Sequence, residues 1–134
     1  MVTDQVFAHL LPHIRAGVSE YELNAWLHFY ALQAGASAMA FDPIVASGPR
    51  GALPHGRATD RQLKSGELIT IDFGVVLNDY QSDMTRTLTI GEPQPELSAV
   101  HDAVLTAQLT AIDALKPGVQ AREIDAIARG VLTA

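Results

Sequence analysis

Two aspartates stand in runs that otherwise read as apolar strand. Asp72 lies within Leu68-Ile69-Thr70-Ile71-Asp72-Phe73-Gly74-Val75-Val76, and Asp83 heads Asp83-Met84-Thr85-Arg86-Thr87-Leu88-Thr89-Ile90. Aspartate is a poor strand residue, and burying its charge without a partner is costly. Wedged between Ile71 and Phe73, Asp72 is expected to need compensation. Asn78-Asp79 separates the two runs and is a two-residue turn signal, so the spacing predicts a β-hairpin. Such a turn pairs Leu77 with Tyr80, sets Asp72 opposite Thr85 and sets Asp83 opposite Gly74. Directly opposed residues project to the same side, as do residues two apart on one strand. Both carboxylates then share a face, diagonally placed with backbone positions about 7–8 Å apart. Gly74 is expected to leave space beside them. A slip of one residue would send them to opposite faces.

Carboxylates converging from adjacent strands can hold hard or borderline divalent cations through oxygen. They can equally share a proton as an acid/base pair, or each can bond backbone or pair with Arg86 or Lys64. The register alone leaves these alternatives open, with Arg86 read as an anchor for an acid near the site. His55, between Pro54 and Gly56, occupies a loop where a solvent-exposed histidine is the ordinary expectation. His9 and His13 have the i, i+4 spacing that can chelate zinc. Pro12 interrupts the helix there and no Glu-x-x-His follows, so they read as surface histidines. His28 and His101 read as plain helix residues. Gly48-Pro49-Arg50-Gly51 lacks the Gly-Lys-Ser/Thr ending of a phosphate loop.

The elements that must position these groups are legible from periodicity. Val6, Phe7, Leu10, Leu11 and Ile14 repeat at helical spacing, with Pro12 expected to kink the segment and Gly17 to stop it. Ser19 and Glu22 form a capping box for a second helix. Leu23, Trp26, Leu27 and Tyr30 give that helix one apolar face up to Gly35, with Trp26 and Tyr30 read as core. Residues 44–46 read as a short strand and 48–56 as a glycine-rich loop. Beyond the hairpin, Gly91, Pro93 and Pro95 precede a third helix over about residues 96–115, ended by Lys116-Pro117-Gly118. A fourth helix carries Ile124, Ile127, Val131 and Leu132 on one side. Ile14-Arg15-Ala16-Gly17-Val18 and Glu22-Leu23-Asn24-Ala25 match Leu115-Lys116-Pro117-Gly118-Val119 and Glu123-Ile124-Asp125-Ala126 in character, at a common offset of 101 residues. This reads as a duplication whose second copy ends before its own strands.

Composition bounds the rest. A chain of 134 residues fits one domain and buries roughly 68–70% of its unfolded surface. Hydrophobic content of 48% against 18% charged residues describes a globular core rather than a disordered chain. A net charge of −6 argues against a nucleic-acid partner. The absence of cysteine removes disulfides and thiolate metal sites and suits a cytoplasmic location. No signal peptide or apolar run of about 18 residues is present, so no membrane partner is expected.

Four motifs in order carry a resemblance. They are Phe41-Asp42-Pro43-Ile44-Val45-Ala46-Ser47-Gly48, Ala52-Leu53-Pro54-His55-Gly56, Ile71-Asp72-Phe73-Gly74 and Ser82-Asp83-Met84-Thr85-Arg86-Thr87. Together they resemble the aminopeptidase P and prolidase branch of the pita-bread metallopeptidases. Methionine aminopeptidases share that fold and the two aspartates, but Ser-Asp-Met-Thr-Arg-Thr and Ala-Leu-Pro-His are closer to the X-Pro cleavers. The resemblance runs from Val6 onward and covers the front half of the family's catalytic domain. It implies an α+β fold, residues 1–134 forming a partial pita-bread domain with helices on an antiparallel sheet.

By that resemblance Asp72 and Asp83 are metal ligands, Asp83 bridging two divalent cations such as Mn, Co or Zn. His55 then binds substrate or stabilises the tetrahedral intermediate. The remaining ligands, one histidine and two glutamates, belong to the family's second half and are not expected among these residues, nor is the domain that many family members place before the first helix. The implied chemistry is metal-assisted hydrolysis of a short peptide or X-Pro dipeptide, with the 134 residues alone inactive and weak in metal binding. The sheet face and edge meant for the second half should favour association with itself or with a complementary chain. A non-catalytic peptide- or protein-binding module of the same fold is the alternative. The paired acids argue against it, since binding alone does not require them.

Overall fold

The computed structural model describes residues 1–133, in two compact units, Met1–Pro93 and a second beginning at Gln94. The first unit opens with α1 (Val2–Leu10), followed by a 3₁₀ turn over Leu11–His13. Pro12 lacks an N–H and sits in that turn, where the α-helical ladder stops. Next, α2 (Glu20–Gln33) begins on the expected capping box. Ser19 Oγ accepts from the Glu22 amide at 3.2 Å, while the Glu22 carboxylate accepts from the Ser19 amide at 2.8 Å.

The buried face of α2 matches the apolar pattern at Leu23 and Leu27, with Tyr30 partly buried against the core, but departs from it at Trp26. Glu20, Leu23, Leu27 and Ala31 are buried, whereas Trp26 remains 37% exposed. Positions 23, 27 and 31 recur every four residues, and position 26 is rotated from 27 by about 100°. Trp26 instead stacks on His13 with ring centroids 4.4 Å apart, and His13 Nε2 is hydrogen-bonded to the Tyr30 hydroxyl at 2.8 Å. His13 is thus half-buried and held by aromatic neighbours rather than free on the surface.

Six strands follow: β1 (Ala38–Met39), β2 (Ile44–Ser47), β3 (Leu68–Phe73), β4 (Val75–Leu77), β5 (Tyr80–Gln81) and β6 (Met84–Thr89). They form two antiparallel sheets, ordered β1-β4-β5 and β2-β3-β6. Along β3, Ile69, Ile71 and Phe73 are fully buried in a cluster with Val6, Leu10, Leu23 and Leu27. Burying each such side chain contributes about 1.5–3 kcal/mol. Leu68, Thr70 and Asp72 alternate onto the other face.

The hairpin register is the one the turn demands, with Leu77 opposite Tyr80 and Asp72 opposite Thr85. Asn78 and Asp79 take φ of 50° and 66°, the positive pair that a type I′ turn requires. The hairpin is nevertheless split between two sheets at Gly74. A side chain there would collide with the Ser82 carbonyl oxygen. The Val75 amide donates to Ser82 Oγ at 3.0 Å in place of a strand carbonyl. Gly74 therefore serves a close backbone approach, and the place its side chain would take is filled by the Ser82 carbonyl rather than left open, contrary to expectation.

In the second unit α3 (Pro95–Asp113) packs against α4 (Ala121–Leu132). The offset seen in sequence recurs in backbone geometry. Gly17 and Gly118 both have φ of 90°. The Val18 amide donates to the Arg15 carbonyl as the Val119 amide does to Lys116. Likewise α2 begins at Glu20 and α4 at Ala121.

Candidate metal centre

Asp72 projects from the open face of β3, with Ile44 of β2 beside it on one flank and Thr85 of β6 on the other. Its immediate chain neighbours, Ile71 and Phe73, point the opposite way into the core. The carboxylate is therefore half-exposed rather than wedged among them. Its direct compensation is a hydrogen bond from Thr85 Oγ1 to Oδ1 at 2.9 Å. Asp83 lies just before β6 and is exposed.

His55 arrives on a loop that leaves the end of β2. A 3₁₀ turn over Gly48–Ala52 is followed by a second turn in which the Gly56 amide donates to the Leu53 carbonyl at 3.2 Å. The chain then folds back onto the strand it left, Arg57 bridging to Ile44. Gly56 sits so close to Ala46 that an added Cβ would come within 3.2 Å of the alanine methyl. The return path delivers an exposed His55 to the open face of β2 and β3.

His55, Asp72 and Asp83 line one cleft of about 450 Å³. Phe41 and Ile44 form its apolar wall, and at its rim Arg57 pairs with Asp42 at 2.7 Å. The three residues singled out from sequence are thus brought together. Among the described residues neither Asp72 nor Asp83 forms an ion pair. Arg86 does not anchor an acid as expected; it donates to the Thr85 carbonyl at 2.8 Å. A larger hollow of about 540 Å³ lies between the start of α1 and the β4–β5 turn. It is mostly apolar and contains no carboxylate or imidazole side chain.

Carboxylate oxygens and an imidazole facing one space suit a hard or borderline divalent cation. They are a partial set. Among the described residues no group of three or more histidine, aspartate or glutamate side chains converges well enough to hold a metal ion.

One charged residue of this region was not singled out from sequence. Glu20, the first residue of α2, is fully buried. Its Oε1 accepts from the Ser47 amide and hydroxyl, each at 2.8 Å. Its Oε2 accepts from Arg50 Nε at 3.2 Å and from the Thr59 amide and hydroxyl at 3.0 and 2.7 Å. Burial opposes the charge, but the bonds from Thr59 and Ser47 outweigh it and hold the carboxyl below its ordinary range. An acid in the first turn is common at any helix start, so nothing in the local sequence separates this one from a solvated cap.

The chain shares 40% identity over 131 residues with an Xaa-Pro dipeptidase of Pyrococcus furiosus, covering 98% of this chain and 38% of that protein. Among solved structures, an Xaa-Pro dipeptidase from Bacillus anthracis superposes with a TM-score of 0.94 at 43% identity, over 98% of this chain and 37% of that one. An X-Pro aminopeptidase from Thermotoga maritima MSB8 does so with a TM-score of 0.94 at 42% identity, over 98% and 38%. The chain therefore spans under two fifths of the length of these relatives. The expected α+β fold of helices on an antiparallel sheet is the fold they share with it. A family model matches residues 1–134 throughout, and with that match the chain belongs to metallopeptidase family M24.

Proposed function

We propose that this chain contributes the front part of a two-metal centre that cleaves the bond between an N-terminal residue and proline. The observation that carries the reading is the meeting of Asp72, Asp83 and His55 in one cleft. The X-Pro peptidases among its relatives add the substrate class. In this reading residues 1–134 are a partial catalytic domain. Asp72 and Asp83 supply oxygen ligands, and Thr85 holds one oxygen of Asp72 in place. His55 contacts the peptide or donates to the oxygen that gains charge as the carbonyl is attacked. Bound divalent cations, with Mn the first to test, would supply Lewis-acid polarisation and an activated water. One histidine and two glutamates from outside this segment complete the ligand set.

Titrating Mn²⁺ into the chain and into Asp83→Ala tests the assignment directly. Wild type should bind weakly and the variant far more weakly, with unchanged stability because Asp83 is exposed. Equal binding would sink the reading in favour of a non-catalytic module. The 134 residues alone should not hydrolyse an X-Pro dipeptide with Mn²⁺ or Co²⁺. Turnover by this segment would show that the three residues need no further ligands.

A further inference from the structure

The loop that carries His55 has its two ends tied to a single buried atom group. Ser47, the last residue of β2, bonds one carboxylate oxygen of Glu20, and Thr59, beyond the loop, bonds the other. Arg50, inside the loop, reaches across it. Its Nε donates to Glu20 at 3.2 Å and its terminal nitrogen donates to the Arg57 carbonyl at 2.6 Å. Ser47 Oγ also accepts from Arg61 at 2.6 Å, and Arg61 in turn pairs with Glu67 at 2.7 Å.

The helix does not need an acid at this position to begin. Its first two amides are already satisfied, Glu20 donating to the Arg61 carbonyl and Tyr21 to the Thr59 carbonyl. At the equivalent place in the second helical pair, α4 starts with Ala121. A fully buried carboxylate is costly unless every lone pair is used, so its retention calls for a specific task.

We infer that Glu20 is a positioning residue, a buried carboxylate clamp that closes both ends of the His55 loop and fixes the imidazole over the Asp72–Asp83 cleft. This role rests on His55 being a site residue. His55 has no hydrogen-bond partner among the described residues, so its place follows from the loop that carries it. Apart from Glu20, that loop is held by its two internal turns, one bridge to Ile44, the Arg50 bond to the Arg57 carbonyl, the Arg57–Asp42 pair and the Tyr21 amide at Thr59.

Amide hydrogen exchange on wild type, Glu20→Gln and Thr59→Val tests the clamp without any metal. Both variants should raise exchange at Leu53 and Gly56 about tenfold through local opening. Thr59→Val, at a half-buried position, should leave Ile69 and Ile71 of β3 unchanged. Unchanged loop rates in both variants, or loop and β3 rising together in Thr59→Val, would overturn the clamp. Mn²⁺ added to the same proteins reads position through paramagnetic broadening. Both variants should lose broadening at His55 several-fold and keep it at Asp72 and Asp83. Equal broadening at His55 would overturn the positioning role. Wild type broadened at neither aspartate would remove the metal reading alone, and the exchange rates would still decide whether Glu20 clamps the loop.

Discussion

Thr85 Oγ1 donates a 2.9 Å hydrogen bond to Asp72 Oδ1 across the β3–β6 pair. The hydroxyl occupies one oxygen of the carboxylate and fixes the plane in which the other can meet a cation. Thr85→Val keeps the β-branched shape and removes the donor. Partners that orient ligands typically matter by about tenfold or more in metal affinity. Mn²⁺ binding should weaken by about that factor, while urea stability stays within about 0.5 kcal/mol because the residue is exposed. Unchanged Mn²⁺ affinity would show that the bond does not orient a ligand.

Gly74 is the point where one hairpin passes between two sheets. Any Cβ there would run into the Ser82 carbonyl, a backbone atom that cannot swing aside as a side chain would. Gly74→Ala should therefore destabilise by about 3 kcal/mol, the upper end for overpacking. It should also displace Asp83, which follows Ser82, so that Mn²⁺ binding falls together with stability. Urea unfolding and metal titration on the same variant check both effects. Full stability would mean that the approach relaxes freely.

The carboxylate hairpin was legible because Asn78-Asp79 permits one short turn, and that turn settles the partner of every residue in both arms. His55 entered through the wording of its loop, since an exposed loop histidine carries no periodic signal. The environment of Asp72 was misjudged because chain neighbours in a strand face opposite ways. Ile71 and Phe73 say nothing of what Asp72 meets across the sheet. Trp26 followed the same kind of error on a helix, where a broad apolar stripe leaves the buried face ambiguous. Glu20 was invisible for another reason. Its partners, Ser47, Arg50 and Thr59, lie 27 to 39 residues away, and only the folded loop assembles them.

The second unit presents Val100, Val104, Leu109, Ile112 and Leu115 to solvent, each more than half exposed. Exposed apolar surface of that kind favours association. The chain at high concentration should scatter light as a species heavier than a monomer, and Leu109→Gln with Ile112→Gln should shift it toward the monomer mass. A clean monomer for wild type at high concentration would show that the exposed surface is tolerated.

Acid should loosen the Glu20 clamp. Its carboxyl is held below the ordinary glutamate value of about 4.3, because bonds from Thr59 and Ser47 outweigh burial. The Arg50 guanidinium touches it directly, and Arg61, paired with Glu67, faces it through Ser47. With the folded value lowered, the unfolded chain takes up the proton first as pH falls. The stabilisation is complete above the ordinary value and is lost as pH drops through the lowered one. Glu22 and Asp125 are also held low, by Ser19 and by Arg129 respectively, so wild-type acid sensitivity has several sources. The difference between wild type and Glu20→Gln isolates this one. At pH 7 the substitution should cost about 3 kcal/mol, the scale of breaking a buried, hydrogen-bonded charge. In urea titrations carried from neutral pH into acid, that gap should narrow below about pH 4 as wild type protonates. A gap that stays constant would mean that the Glu20 carboxyl takes up its proton alike in the folded and unfolded chain and is not held low by the clamp.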